Sequence, residues 1–127
     1  MVFEHLALNV KNVHDIKDWY VANLGLKVVS EQTEAPFMTF FEDSSGRVML
    51  ELYHRPDEEI TNFKLKHPLT FHMAFVSKNA ERDKIRLLDK GASFVEEIKK
   101  ADGSHLVMLR DPWGIPLQLC HRAKPFS

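Results

Sequence analysis

The sequence matches itself at a fixed offset of 67 residues, and this limits the fold more than any other feature. His5-Leu-Ala-Leu-Asn-Val-Lys-Asn12 aligns with His72-Met-Ala-Phe-Val-Ser-Lys-Asn79. Leu50-Glu-Leu-Tyr-His-Arg55 aligns with Leu117-Gln-Leu-Cys-His-Arg122. Both 72 − 5 and 118 − 51 give 67, so His5 stands 46 positions before Glu51, and His72 stands 46 before Gln118. A unit that recurs in this way is a single supersecondary module, which buries its apolar face only with a neighbour.

The local pattern gives each module the same order. In the first, alternation predicts a strand over Phe3–Val10, with His5, Ala7 and Asn9 on one face and Leu6, Leu8 and Val10 on the other. Asn12 then caps a helix carrying Val13, Ile16, Tyr20 and Leu24, which Gly25 stops. Strands follow over 26–33, 37–42 and 47–53, the last two joined by the turn Asp43-Ser-Ser-Gly46. Residues 56–68 are polar, hold the acidic run Asp57–Glu59 and read as a linker. The pattern restarts with a strand over 70–76, the cap Asn79 and a helix over 80–90, with Ile85 and Leu88 facing in and Gly91 as the stop. Strands over 92–98, 104–110 and 115–121 complete it, with Asp111-Pro-Trp-Gly114 mirroring the first turn one residue out of step. The expectation is an α+β fold of two tandem βαβββ modules, about 1–55 and 69–122. Their mixed sheets would curve into a cup with the helices outside, all within one domain of 127 residues.

Composition excludes several functions. A net charge of −1 gives no general attraction to nucleic acid or anionic membrane. No apolar run approaches the ~20 residues that span a bilayer. The start Met1-Val-Phe-Glu-His5 lacks the basic n-region of a signal peptide. The single cysteine, Cys120, precludes an intramolecular disulfide, so a reducing cytoplasm is expected. There is no glycine-rich phosphate loop and no nucleophile elbow.

Strand parity selects the chemistry. If Leu50, Leu52, Leu117 and Leu119 pack toward the helices, Glu51 and Gln118 point the other way, and so do His5 and His72. A carboxylate inside the run Val-Met-Leu-Glu-Leu-Tyr is costly to desolvate unless a positive charge compensates it, and a divalent cation does so. His5, Glu51, His72 and Gln118 form a mixed nitrogen and oxygen set suited to one Zn, Ni, Co, Mn or Fe ion. Asn9, Met49, Tyr53, Ala74, Val76 and Cys120 share that face by parity and would meet a partly apolar small-molecule substrate. Cys120 reads as a packed thiol, with His105 the one base considered for it. His54 and His121 also repeat, but fall on the opposite face or past the strand ends and read as structural. The alternative for Glu51 is a structural ion pair with Arg47 or Arg122.

On these residues the chain resembles the vicinal oxygen chelate superfamily, which includes glyoxalase I, methylmalonyl-CoA epimerase, extradiol dioxygenases and bleomycin-resistance proteins. The resemblance covers both modules and the Asp111–Gly114 turn. It implies that His5, Glu51, His72 and Gln118 occupy the family's ligand positions. It also implies a small substrate chelated through two adjacent oxygens, with lyase, isomerase or epimerase chemistry by proton transfer next to a carbonyl. Most metal-using members have Glu where this chain has Gln118, and an amide is no base at neutral pH. Glu51 is then both ligand and catalytic base. A metal-free protein that sequesters a drug or metabolite is the alternative, and an extradiol dioxygenase the second. A homodimer is expected, with the sheets pairing within one chain or between two.

Overall fold

The computed structural model describes residues 1–126. The elements run β1 (Leu6–Asn9), α1 (Val13–Leu24), β2 (Lys27–Glu31), β3 (Thr39–Glu42), β4 (Val48–Tyr53), β5 (Met73–Val76), α2 (Ala80–Asp89), β6 (Ser93–Lys99), β7 (His105–Arg110) and β8 (Pro116–His121), with a short 3-10 turn at Phe63–Leu65. They fall into two compact units, Met1–Thr61 and the chain from Asn62 onward. Each holds one open four-stranded mixed sheet, in the orders β1-β4-β3-β2 and β5-β8-β7-β6. The fold is α+β with two tandem βαβββ modules.

The repeat is carried into the hydrogen-bond register. Leu6, Ala7, Leu8 and Asn9 pair in parallel with Leu50, Glu51, Leu52 and Tyr53. Met73, Ala74, Phe75 and Val76 pair in parallel with Leu117, Gln118, Leu119 and Cys120, so every pair is displaced by 67. The turns repeat as well. Gly46 N–H donates to Asp43 O and Gly114 N–H to Asp111 O, both at 2.9 Å. The Asp43 carboxylate accepts from Ser45 N–H, and that of Asp111 from Trp113 N–H.

The single step between the turns has a local cause. Phe41 faces Leu50 and Glu42 faces Val48, leaving Met49 as an extra residue in a β-bulge. In β7 and β8, Leu109 faces Leu117 and Arg110 faces Pro116 without interruption. A bulge breaks the two-residue alternation, so the parity that placed Met49 beside the ligands does not run through it.

In each unit the helix and sheet share a core. Leu50, Leu52 and Phe41 are fully buried, as are Tyr20 of α1 and, in the second unit, Leu87, Val107, Leu109 and Leu117. The Tyr20 and Phe41 rings lie 6.4 Å apart, which identifies the face that α1 covers. Burying one such leucine contributes about 1.5–3 kcal/mol. An ion pair from helix to sheet recurs outside this core. Lys17 reaches Glu31 at 2.8 Å in the first unit, and Lys84 reaches Glu97 at 3.2 Å in the second.

Three expectations need correction. Leu6 is 40% exposed rather than packed, because β1 is an edge strand. Ile85 is exposed and Leu87 takes its place in the core. The face of α2 is set by Ala80, Leu87 and the Lys84 ion pair rather than by its largest apolar residues. Asn12 makes no side-chain cap, whereas Asn79 accepts from Arg82 N–H at 3.0 Å. Residues 56–68 contain the boundary between the two units and are held by hydrogen bonds on either side of it. The Asn9 amide group donates to Arg55 O and Glu59 O and accepts from Arg55 N–H. The Arg110 guanidinium donates to Phe63 O and Lys66 O, both at 2.7 Å.

Candidate metal centre

Glu51 sits in the middle of its sheet, flanked in register by Ala7 on β1 and Phe40 on β3. It is 8% exposed. Ala7 is small, which leaves room above the carboxylate for the ring that enters two residues earlier. That ring is His5, whose Nε2 lies 3.3 Å from Glu51 Oε1. The edge of the His5 ring meets Phe40 at 5.1 Å, interplanar angle 89°. Phe40 and Phe41 are adjacent, so alternation sends one to the site and the other to the helix.

The histidine is oriented from behind. His5 Nδ1 is 2.8 Å from Glu4 Oε1. A carboxylate only accepts, so Nδ1 carries the proton and donates. That leaves Nε2 as the nitrogen beside the Glu51 carboxylate, where a cation would be met by both groups. A ligating imidazole whose other nitrogen donates to an oxygen is the usual supporting arrangement of metal sites.

The second unit repeats the scheme with different groups. His72 Nδ1 lies 3.0 Å from Pro68 O, a carbonyl that only accepts, so His72 also donates through Nδ1 and leaves Nε2 free to ligate. Gln118 is flanked by Ala74 and by Met108, the counterparts of Ala7 and Phe40. Its Oε1 accepts from the Cys120 thiol at 3.3 Å, so Gln118 and Cys120 share a face. Burial pushes the Cys120 thiol pKa up, and the nearby Arg122 only partly opposes this. A raised thiol is a poor nucleophile at neutral pH. His105 is not its base: it pairs across the strands with His121, while Cys120 pairs with Leu106, and its Nε2 is 2.6 Å from Glu97.

The remaining candidates divide by their contacts. The Asn9 side chain is engaged with the backbone of Arg55 and Glu59. Tyr53 is half-buried, whereas Ala74 and Val76 are exposed. His54 and His121 donate to Val10 O and Ser77 O, again a pair displaced by 67, so each ties its last strand to the segment entering the helix. Arg47 donates to Phe3 O and the Arg122 guanidinium lies over the Phe126 ring, while the group beside the Glu51 carboxylate is the His5 imidazole. Sequence reasoning missed Glu4, Phe40 and Pro68. The spacing from Pro68 to His72 and the adjacency of Glu4 and His5 were visible but carry no distinctive signal.

A second group, Glu81, Glu97 and His105, brings three metal-type ligands together. Lys84 already supplies its cation, 2.9 Å from Glu81 and 3.2 Å from Glu97. The hydrogen bond from His105, then that from Lys84, holds the Glu97 carboxyl below its ordinary range. With Lys17–Glu31 as its counterpart, this cluster is a structural ion-pair network.

Comparison with known proteins bears on the whole chain. Residues 2–119 match the family model for the Glyoxalase/Bleomycin resistance protein/Dioxygenase superfamily. No curated protein matches in sequence. Among solved structures, a glyoxalase family protein from Enterococcus faecalis is similar with TM-score 0.71 at 22% identity, over 94% of this chain and 97% of that one. A lactoylglutathione lyase from Agrobacterium tumefaciens gives 0.67 at 17%, over 94% and 92%. An antibiotic binding protein from a Streptomyces species gives 0.71 at 15%, over 94% of each. No helix among the described residues is long and apolar enough to cross a membrane.

Proposed function

The chain belongs to the Glyoxalase/Bleomycin resistance protein/Dioxygenase superfamily, and on that premise we propose a divalent-metal-dependent enzyme of the glyoxalase type. His5, Glu51, His72 and Gln118 are its ligands, for Zn, Ni, Co, Mn or Fe. The observation that carries this reading is the orientation of both histidines: each donates through Nδ1 to an oxygen, and His5 presents Nε2 to the carboxylate of Glu51. A bound ion would supply Lewis-acid polarisation of a substrate carbonyl.

The residues supply the rest. Glu51 is the only carboxylate of the set, so it accepts the proton from the carbon next to the carbonyl and returns it. With Gln118 as its counterpart, proton removal is confined to one face of the substrate. Tyr53, Ala74 and Cys120 border the reacting group, with Met49 at the bulge beside Glu51. Asn9 acts by holding residues 55–59 in place. The substrate is a small molecule offering two adjacent oxygens, and the chain works as a homodimer, which sedimentation tests.

Metal content decides the main point. Protein purified without added metal is expected to carry a stoichiometric divalent ion, and Glu51→Ala and His72→Ala to lose it. Metal retained in both variants overturns the ligand set.

One feature favours a second reading, a metal-free small-molecule binding protein. Position 118 carries an amide rather than a carboxylate, and a structural neighbour is an antibiotic binding protein. That reading predicts no bound metal and a fold indifferent to chelator. The same amide counts against an extradiol dioxygenase, whose facial triad needs a carboxylate; oxygen uptake with a catechol would support it.

A further inference from the structure

The second unit holds a pocket of about 370 Å³ that the ligand residues do not use. Two of its walls are the ends of the parallel strands β5 and β8, where Val76 and Cys120 pair in register. The third is the C-terminal segment, which turns back as Ala123 N–H donates to Ser104 Oγ at 2.9 Å. Pro125 and Phe126 close that side, with the Arg122 guanidinium 4.6 Å from the Phe126 ring centre.

Three observations give the pocket a ligand class. Its size falls in the range of small-molecule sites, roughly 300–1,000 Å³. Its lining is mostly apolar, yet Val76 and Phe126 are 90% and 87% exposed. Apolar side chains left open at a concave site mark a binding surface more often than isolated ones do. Two cations, Lys78 and Arg122, also line it, and neither has a carboxylate within 4.0 Å among the described residues. An apolar hollow with two cations that no carboxylate of the described residues pairs complements a molecule with an apolar body and an anionic head.

We propose that this pocket binds a small amphiphilic anion, its apolar body against Val76, Cys120 and Phe126 and its carboxylate, sulfonate or phosphate met by Lys78 and Arg122. The pocket shares Cys120 with the face proposed above to border the substrate and so extends that reading, but binding in it needs no metal.

The test uses two probes that share an apolar body. Anilinonaphthalene sulfonate carries the anion and N-phenyl-1-naphthylamine lacks it. Fluorescence titrations of the full chain are run with excess chelator, which separates the result from the metal reading. Saturable sulfonate binding at one equivalent per chain is expected. The double variant Lys78→Gln/Arg122→Gln should weaken sulfonate binding about tenfold or more, with the neutral probe changed less than twofold. Val76→Asp should abolish sulfonate binding with an unchanged circular dichroism spectrum. Non-saturable binding, or sulfonate binding that survives Val76→Asp, overturns the pocket. Equal weakening of both probes by the double variant, or no weakening, overturns the anionic class.

Discussion

The two units pair their strands in the same register, yet differ where chemistry would occur. In both, a small alanine faces the ligand position and a histidine enters two residues before it. The first unit puts a carboxylate there and backs its histidine with a second carboxylate, Glu4. The second puts an amide there and backs its histidine with a carbonyl. The leucines on the helix side, Leu50 and Leu117, are equally buried. The comparison separates two selections. Packing holds the leucines of both copies alike, whereas the opposite face diverges without cost to the core.

That separation is most strongly tested in the core. Leu50→Ala and Leu117→Ala each remove a fully buried side chain, and each should cost about 2–5 kcal/mol. Urea unfolding should place the two variants within about 2 kcal/mol of each other, the scatter expected from local relaxation. A large cost in one unit and none in the other would break the equivalence of the two cores.

The site face is tested by making the copies alike. Gln118→Glu gives the second unit the carboxylate of the first. Chelator competition should show metal affinity raised about tenfold, or about 1.4 kcal/mol. Unchanged or weaker affinity would mean that position 118 does not face the ion, and the repeat would then be structural alone.

Much of this was legible in the sequence because a repeat reports register directly. The offset of 67 aligned β1 with β5 and β4 with β8 before any coordinates, and parity alone put Cys120 beside Gln118. What was hidden depends on contacts between elements. The bulge at Met49 is a slip of one strand against its neighbour, and only their pairing reveals it. Consecutive phenylalanines concealed which ring meets His5. The buried face of α2 follows from Lys84 reaching Glu97, a contact thirteen residues away in sequence. The bonds that hold residues 56–68 were hidden because Asn9 and Arg110, which make them, lie well outside the segment.

The equivalent turns carry a smaller contrast. Gly46 and Gly114 both have positive φ, +82° and +92°. A Cβ at Gly46 meets nothing within 4 Å, whereas one at Gly114 would meet Lys64 Cγ at 2.3 Å and its backbone nitrogen at 3.2 Å. Gly46→Ala should therefore cost only the left-handed backbone, about 1–2 kcal/mol. Gly114→Ala should cost about 1 kcal/mol more, from displacing the segment that Arg110 holds. Equal costs would show that Lys64 yields freely.

The smallest expected effect concerns the two helix-to-sheet ion pairs. Among the described residues Glu31 pairs with Lys17 alone, whereas Glu97 meets both Lys84 and His105. The His105 hydrogen bond, followed by that of Lys84, lowers the Glu97 carboxyl from its ordinary value of 4.5. A carboxyl that is more acidic in the folded chain binds fewer protons there than in the unfolded chain, so its contribution is complete above the ordinary value. It is lost as pH falls through that value and then through the lowered one, while Lys84 remains charged throughout. Stability measured from pH 6 down to about 3 should fall more steeply in the native protein than in Glu97→Gln. Superimposable acid limbs for the native chain and Glu97→Gln would show that the Glu97 carboxyl is not linked to folding.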